Sequence, residues 1–284
     1  MSIKAVVVGG TNGIGYAMAC QLAATAKNST VIISGRTKPA NIPFPNIEFR
    51  QLDATSMRKI KQYTDTIKSV EGQKLGMLIM TQSYMNLDGR TETPEGIDAK
   101  MALHHYGRQL LIRELTPVLE EDGKVISVYD SKYGNPDKIL WEDLDLKHNY
   151  ALGRTANHGM VMTDAMVQWH AAEQKRNGGP ARYFVHAWPG AVKTSLHKEM
   201  QWYLKPLLRG LSSIFGVSAD TAATRLLKGT MDRAEADVAG GKFWTCIDNH
   251  GQEVKDKKIW SEEELDKIAS HTWGLVDSAL KTPA

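Results

Sequence analysis

Short apolar runs and longer apolar–polar stripes alternate along this chain. Residues 5–8, Ala-Val-Val-Val, form an unbroken run that reads as a strand buried on both faces. Residues 16–26 are alanine-rich and helical in pattern. Strand-like runs recur at 31–33, 47–52, 75–80, 125–128, 184–188 and 241–247. Between them, Met57, Ile60, Tyr63 and Ile67 make a helical stripe, and Leu103, Leu110, Leu111, Leu115 and Val118 mark another helix over 101–118. A long helix is expected over 156–176, preceded by a loop at 149–153. Strands separated by helical stripes predict an α/β chain with a doubly wound parallel sheet of about seven strands and helices on both faces. No repeat or linker interrupts the pattern, so residues 1–284 read as one domain.

In such a sheet, ligands sit beyond the carboxyl ends of the strands. The first strand runs straight into Gly9-Gly10-Thr11-Asn12-Gly13-Ile14-Gly15, followed by a helix. This is the layout of a Rossmann-type dinucleotide site. Gly9 permits the tight turn, Gly13 lets backbone approach a pyrophosphate, and Gly15 lets helix and strand pack closely. The helix N-terminus offers free N–H groups and a positive dipole end to phosphates.

The end of the second strand selects the dinucleotide. An NAD site ordinarily carries an acid there for the ribose hydroxyls. Here the chain reads Ser34-Gly35-Arg36-Thr37-Lys38, with no acid. Arg36 can grip a 2′-phosphate and stack on adenine, with Thr37 beside it, so NADP(H) is expected. The alternative is a merely solvated loop. Asp53, after the third strand, is placed either for the adenine amino group or as the N-cap of the next helix.

Charge and composition narrow the class further. A formal net charge of +3 does not suggest a nucleic-acid partner. Two cysteines, Cys20 and Cys246, give no disulfide framework or zinc pattern, so a reducing interior and a cytoplasmic location are expected, with no metal. The first strand begins within a few residues of Met1, leaving no room for a signal peptide, and no apolar run approaches the roughly 20 residues of a membrane span.

The spacing Gly-x3-Gly-x-Gly, Asp53 after the third strand, and Pro189-Gly190-Ala191-Val192-Lys193-Thr194 after the sixth resemble the short-chain dehydrogenase/reductase family over nearly the whole chain. Glu142-Asp143-Leu144-Asp145-Leu146 with Asn149-Tyr150 is similar to its retinol-dehydrogenase-like and fungal secondary-metabolism members. The resemblance implies that Val192 and Thr194 contact the nicotinamide carboxamide, that Met80-Thr81-Gln82-Ser83 stands where the family has Asn-Asn-Ala-Gly, and that residues 195–216 form a substrate lid. It also implies a tetrad of tyrosine, lysine, serine and asparagine. Aligned through these motifs, the tyrosine position falls on Ala156, the lysine position on Met160, the asparagine position on His104, and the serine position on Asp130 or Ser131. The pair Tyr150–Arg154 imitates the family's Tyr-x3-Lys but lies six residues early, about 9 Å of helix rise.

The cofactor half therefore reads as kept and the acid–base half as lost. Asp130 is the first candidate to replace it, as a proton donor or as the partner of a cationic substrate nitrogen; the alternative is a loop cap or a pair with Lys132. His104 reads as a proton shuttle or as a packed core histidine. Ser131 and Tyr129 complete the candidate set, and Tyr129 and Tyr133 donate a phenolic proton or shape the pocket. Trp188 either walls the site or packs in the core. The apolar lid, with Leu196, Trp202 and Tyr203, suits a bulky hydrophobic substrate. The expected activity is NADPH-dependent reduction of a hydrophobic ketone or iminium. The alternatives are a cyclase or isomerase built on the same scaffold and a non-catalytic NADP-binding protein. Family members are often oligomers, so a homo-oligomer is a further expectation.

Overall fold

The computed structural model describes residues 3–25, 28–70, 72, 74–84, 86–193 and 216–282. Seven strands build one sheet: β1 (Ile3–Val8), β2 (Thr30–Gly35), β3 (Ile47–Gln51), β4 (Leu75–Met80), β5 (Leu119–Val128), β6 (Tyr183–Ala187) and β7 (Trp244–Ile247). Their order is β3-β2-β1-β4-β5-β6-β7, and every neighbouring pair is parallel. The order reverses direction between β1 and β4, which opens a crevice at the carboxyl ends of those strands. The doubly wound α/β sheet read from the sequence is the sheet found.

Helices cover both faces. On one lie α1 (Gly13–Thr25) and α6 (Ala219–Ala239), packed on Val7, Ile33, Val185 and Ile247. On the other lie α2 (Met57–Lys68), a helix of two parts, α3 (Ala99–Met101) and α4 (Gly107–Leu115), then α5 (Leu152–Arg176) and α7 (Glu262–Lys281), packed on Val6, Val8, Leu78 and Phe184. Alternation along β1 sends Val6 and Val8 to one core and Ala5 and Val7 to the other.

Several boundaries differ from the sequence pattern for physical reasons. Helix α5 begins at Leu152, where a loop was expected. Its first turn tolerates Gly153 because the preceding loop is already held. The Asp143 carboxylate accepts the backbone N–H groups of Lys147, His148 and Asn149. Burial alone would raise that carboxyl, but these bonds and the Asn149 side chain hold it below the usual carboxylate range. Strand β5 begins at Leu119, six residues before the apolar run at 125–128, and a register shift against β4 absorbs the extra residues. Between α3 and α4 lies a π turn, Ala102–Tyr106, with the Gly107 N–H bonded to the Ala102 carbonyl. Such turns often mark functional positions, and this one carries His104. Helices α6 and α7 complete the two layers, each opened by a serine N-cap, Ser218 and Ser261.

Candidate active site

The cradle at the end of β1 has the conformation its glycines require. Gly9 and Gly13 lie at φ +80° and +58°, a region that favours glycine. A Cβ on Gly15 would stand 2.3 Å from the Thr81 hydroxyl and 2.6 Å from the Gly9 carbonyl, so only glycine lets α1 pack here. A Cβ on Gly9 would stand 2.4 Å from the Gln82 amide nitrogen, which fixes the start of the β4 loop against the same turn. The Thr81 hydroxyl donates towards the Val8 and Gly9 carbonyls, and the Asn12 side chain accepts the Gly13 N–H at 2.7 Å. Thr11 packs at the foot of Gly35, and Ile14 packs against the α1-side core. The N–H groups of the first turn of α1 have no helical acceptor, so the turn suits a pyrophosphate.

Beyond β2 and β3 lies an open cavity of about 710 Å³ lined by Arg36, Arg50, Asp53, Lys59, Gln62 and Tyr63, among others. Arg36 and Thr37 are exposed at its edge, and the Arg36 carbonyl accepts the Gln51 side chain at 3.0 Å. Ser56, not Asp53, caps α2. Asp53 accepts the Thr55 hydroxyl at 2.7 Å and the Lys59 ammonium at 3.3 Å. Burial pushes the Asp53 carboxyl up, but those bonds outweigh it and hold it low. It is therefore an anion in the wall of this cavity.

At the end of β6, Gly190 lies at φ +69° beside Asn249, and Pro189 is half-buried. Val192 bridges Val217, which ties this loop to the start of α6. Thr194 and residues 195–215 of the expected lid lie outside the described residues.

The candidate proton donors separate clearly. The Asp130 carboxylate accepts the backbone N–H groups of Lys132 and Tyr133 at 2.9 and 3.0 Å, the geometry of a loop cap. The Ser131 hydroxyl is buried and donates to the Ile247 carbonyl at 2.7 Å, so it faces β7 rather than the crevice. His104 is buried, bonded to the Ser83 hydroxyl at 3.0 Å, and stacked on Tyr129 with ring centroids 4.9 Å apart. Burial, with Arg108 and Lys100 nearby, pulls its pKa down to about 3, so the ring is neutral at pH 7 and matches the packed histidine. Tyr129 is half-buried at the end of β5. Burial pushes its phenol up to about 12, against the opposing pull of Arg108. A Cβ on Gly159 would lie 3.4 Å from its hydroxyl, so the phenol rests on α5 at Gly159. Tyr150 precedes α5 and points its hydroxyl at the Asp88 carbonyl, 3.5 Å away, while Arg154 bonds the Asn149 carbonyl. That pair does not imitate the family's. At the mouth, exposed Tyr133 meets Trp188 edge-on at 5.1 Å, with Lys132 over the indole at 4.7 Å.

Two buried polar groups lie beside the expected site residues. Arg108 is fully buried, and its Nη2 donates to the Gln82 carbonyl at 2.9 Å. Its Nε and Nη1, and both amide atoms of the Gln82 side chain, are buried without a partner among the described residues. An arginine inside a leucine-rich helix stripe carries no chemical signature. The second is a hub at Asp164. It accepts His186 Nδ1–H at 2.6 Å and the Cys246 thiol at 3.3 Å, and it pairs with Lys257, whose ammonium also reaches the Ser131 carbonyl at 2.9 Å. Asp164, His186 and Cys246 have metal-ligand atoms within 4.8 Å of one another. The Lys257 ammonium on the same carboxylate already supplies the positive charge there. These residues are far apart in sequence and meet only because β6, β7 and α5 share a face.

Comparison with known proteins places these features. An oxidoreductase of Emericella nidulans, AN1596, is 36% identical over 208 residues, covering 69% of this chain and 60% of its own length. This chain thus spans about three fifths of the length of the first curated relatives it matches. The short-chain dehydrogenase/reductase SAT2 of Stachybotrys chartarum is 32% identical over 248 residues, covering 75% of this chain and 68% of its own. Among solved structures, a Burkholderia multivorans chain of the short-chain dehydrogenase/reductase type with bound NADP superposes with a TM-score of 0.60 at 15% identity, over 89% of this chain and 98% of its own. No family model matches the sequence.

Proposed function

Because the chain belongs to the short-chain dehydrogenase/reductase family, we propose that it is an NADP(H)-dependent reductase of a bulky hydrophobic ketone or iminium, working without the family's tyrosine–lysine pair. The observation that carries this reading is the juxtaposition of a glycine cradle with a cation-rich cavity at the end of β2. Gly9, Thr11, Asn12, Gly13, Ile14 and Gly15 would hold the pyrophosphate. Arg36 and Thr37 would hold the 2′-phosphate, and Asp53 the adenosine edge. Gln82, Pro189, Gly190, Val192 and Thr194 would frame the nicotinamide. The NADP bound by the Burkholderia multivorans relative supports that choice. When bound, NADPH supplies a hydride.

The chain's own residues then have three tasks. The Tyr133–Trp188 pair offers an apolar edge to a hydrophobic substrate. Asp130 holds the β5 loop in shape. Tyr129 would serve proton delivery best, because it follows the carboxyl end of β5 and its phenol is protonated at pH 7, whereas His104 is neutral and Ser131 bonds to β7. Such a donor favours reduction over oxidation.

The test is a panel of hydrophobic ketones and cyclic imines incubated with protein and NADPH, following nicotinamide absorbance and product mass. Loss of absorbance with a product two hydrogens heavier is expected. A product isomeric with its substrate, formed without NADPH consumption, would replace this reading with a cyclase or isomerase.

A further inference from the structure

We propose that Arg108 is the positioning cation for Tyr129: buried behind the phenol ring, it stabilises the phenolate formed when Tyr129 gives up its proton. This deepens the function proposed above and rests on it.

The resting protein carries a charge imbalance at Arg108. A fully buried guanidinium is costly unless a negative group or a full set of acceptors compensates it. Among the described residues Arg108 makes one hydrogen bond, to the Gln82 carbonyl, and no ion pair. The charge-responsive group beside it is Tyr129, whose ring centroid lies 5.5 Å from the guanidinium carbon. Among the described residues no second lysine or arginine stands over that ring. His104 and His186 stack on it at 4.9 and 6.4 Å, His104 as a neutral ring, and Asp130 adds negative charge from the following residue. Arg108 on α4 sits one turn after His104 on the π turn, so the two bring a guanidinium and an imidazole to the same phenol.

The position of the hydroxyl gives this pairing a use. Arg108 is sealed inside, whereas Tyr129 is only partly buried, just past the carboxyl end of β5, and its hydroxyl lies against Gly159 of α5. The arginine therefore acts through the ring and does not touch substrate. As the substrate carbonyl carbon gains hydride, its oxygen takes the phenolic proton. The phenol O–H bond breaks as the alcohol O–H bond forms, and the electron pair stays on Tyr129 as phenolate. Its negative charge is then the counter-ion that Arg108 lacks in the resting protein, until water returns the proton. Fixed charge aimed at developing charge in a dry site is an effective form of catalytic stabilisation.

The test reads the phenol directly. Difluorotyrosine, a more acidic analogue that titrates within a workable range, is placed at position 129 and its fluorine resonance is followed against pH. Arg108→Met and Arg108→Gln should each make the phenol at least about tenfold weaker as an acid, a shift of one unit or more. The glutamine variant retains a donor for the Gln82 carbonyl, so a change shared by both variants reports charge rather than packing. Arg108→Lys should recover most of the acidity. A midpoint that moves less than about twofold in the neutral variants would overturn the proposal. NADPH affinity, measured on the same proteins, should stay within a few-fold. A wild-type chain that does not bind NADPH would overturn the function proposed above, and the phenol midpoint would still decide the Arg108–Tyr129 pairing.

Discussion

A guanidinium at the end of β2 separates two cofactors that differ by one phosphate. Arg36 stands exposed at the rim of a cavity that Arg50 and Lys59 also line. Arg36 follows the carboxyl end of β2 directly, the position from which a cation meets a 2′-phosphate. Arg36→Ala should weaken NADPH by roughly 1.5–3 kcal/mol, the range of hydrogen bonds to charged groups, and change NADH by less than about twofold. Fluorescence titration with both cofactors measures this, and equal weakening would assign Arg36 to adenine stacking alone. Residues of this kind were legible in the sequence because their role depends on local order: a glycine must follow a strand, and a cation must end one. Asp130 was misleading for the same reason. Its sequence position is that of a site residue, but its Oδ1 is the cap of its own loop. Arg108 was invisible because its meaning comes from Tyr129, which a different element supplies.

Helix α2 shows how one buried residue can fasten an element. Ser56 caps it, but the stronger contacts come from Glu95, far along the chain. Its buried carboxylate accepts the Ser56 hydroxyl at 2.7 Å and the N–H groups of Met57 and Arg58 at 2.7 and 3.1 Å. Negative charge at a helix N-terminus is favourable, and more so out of solvent. Arg58 extends the chain of contacts. It pairs with Glu95 at 3.4 Å and donates to the Thr282 carbonyl just past α7. Glu95→Ala should therefore lower stability by about 2–4 kcal/mol, through lost bonds and N–H groups left unpaired, as read by urea unfolding. A loss below about 1 kcal/mol would show that water replaces the carboxylate freely. Elements fixed by a local stripe, such as α2 itself, were legible in sequence. Helix α7 carries a stripe too, Leu265, Ile268, Ala269, Val276 and Ala279 behind a Ser261–Glu264 capping box, but its partners across the core (Trp273 on Trp169, Thr272 on His105, His271 on Tyr106) come from elements distant in sequence, which no local pattern names.

At the scale of the whole molecule, those contacts leave a set of histidines in the interior. Burial holds His104, His105 and His170 at about 3, and it also lowers His158 and His271. Their bonds suit neutral rings: His105 meets the Thr272 hydroxyl at 3.0 Å, and His170 meets the Gln109 side chain at 2.9 Å. The unfolded chain binds protons on these residues below about pH 6.5, whereas the folded chain does not bind them until near pH 3. Protons therefore favour the unfolded state throughout that interval. Stability is full above about pH 6.5 and falls as pH drops, with a slope approaching about 1.4 kcal/mol per pH unit for each such histidine. The carboxylates held low by hydrogen bonds, Asp143 and Glu264 among them, add their own loss only below about pH 4.5. The interval from about pH 6.5 to 5 thus isolates the histidines. Urea unfolding across it should show a fall of several kcal/mol, and with total stabilities of about 5–15 kcal/mol the fold should fail near about pH 5. His170→Gln, which keeps a polar side chain beside Gln109, should flatten the slope by up to one proton. Stability that stays level from about pH 7.5 to 5 would mean that these rings reach solvent and that the interior formed by α4, α5 and α7 is looser than its packing indicates.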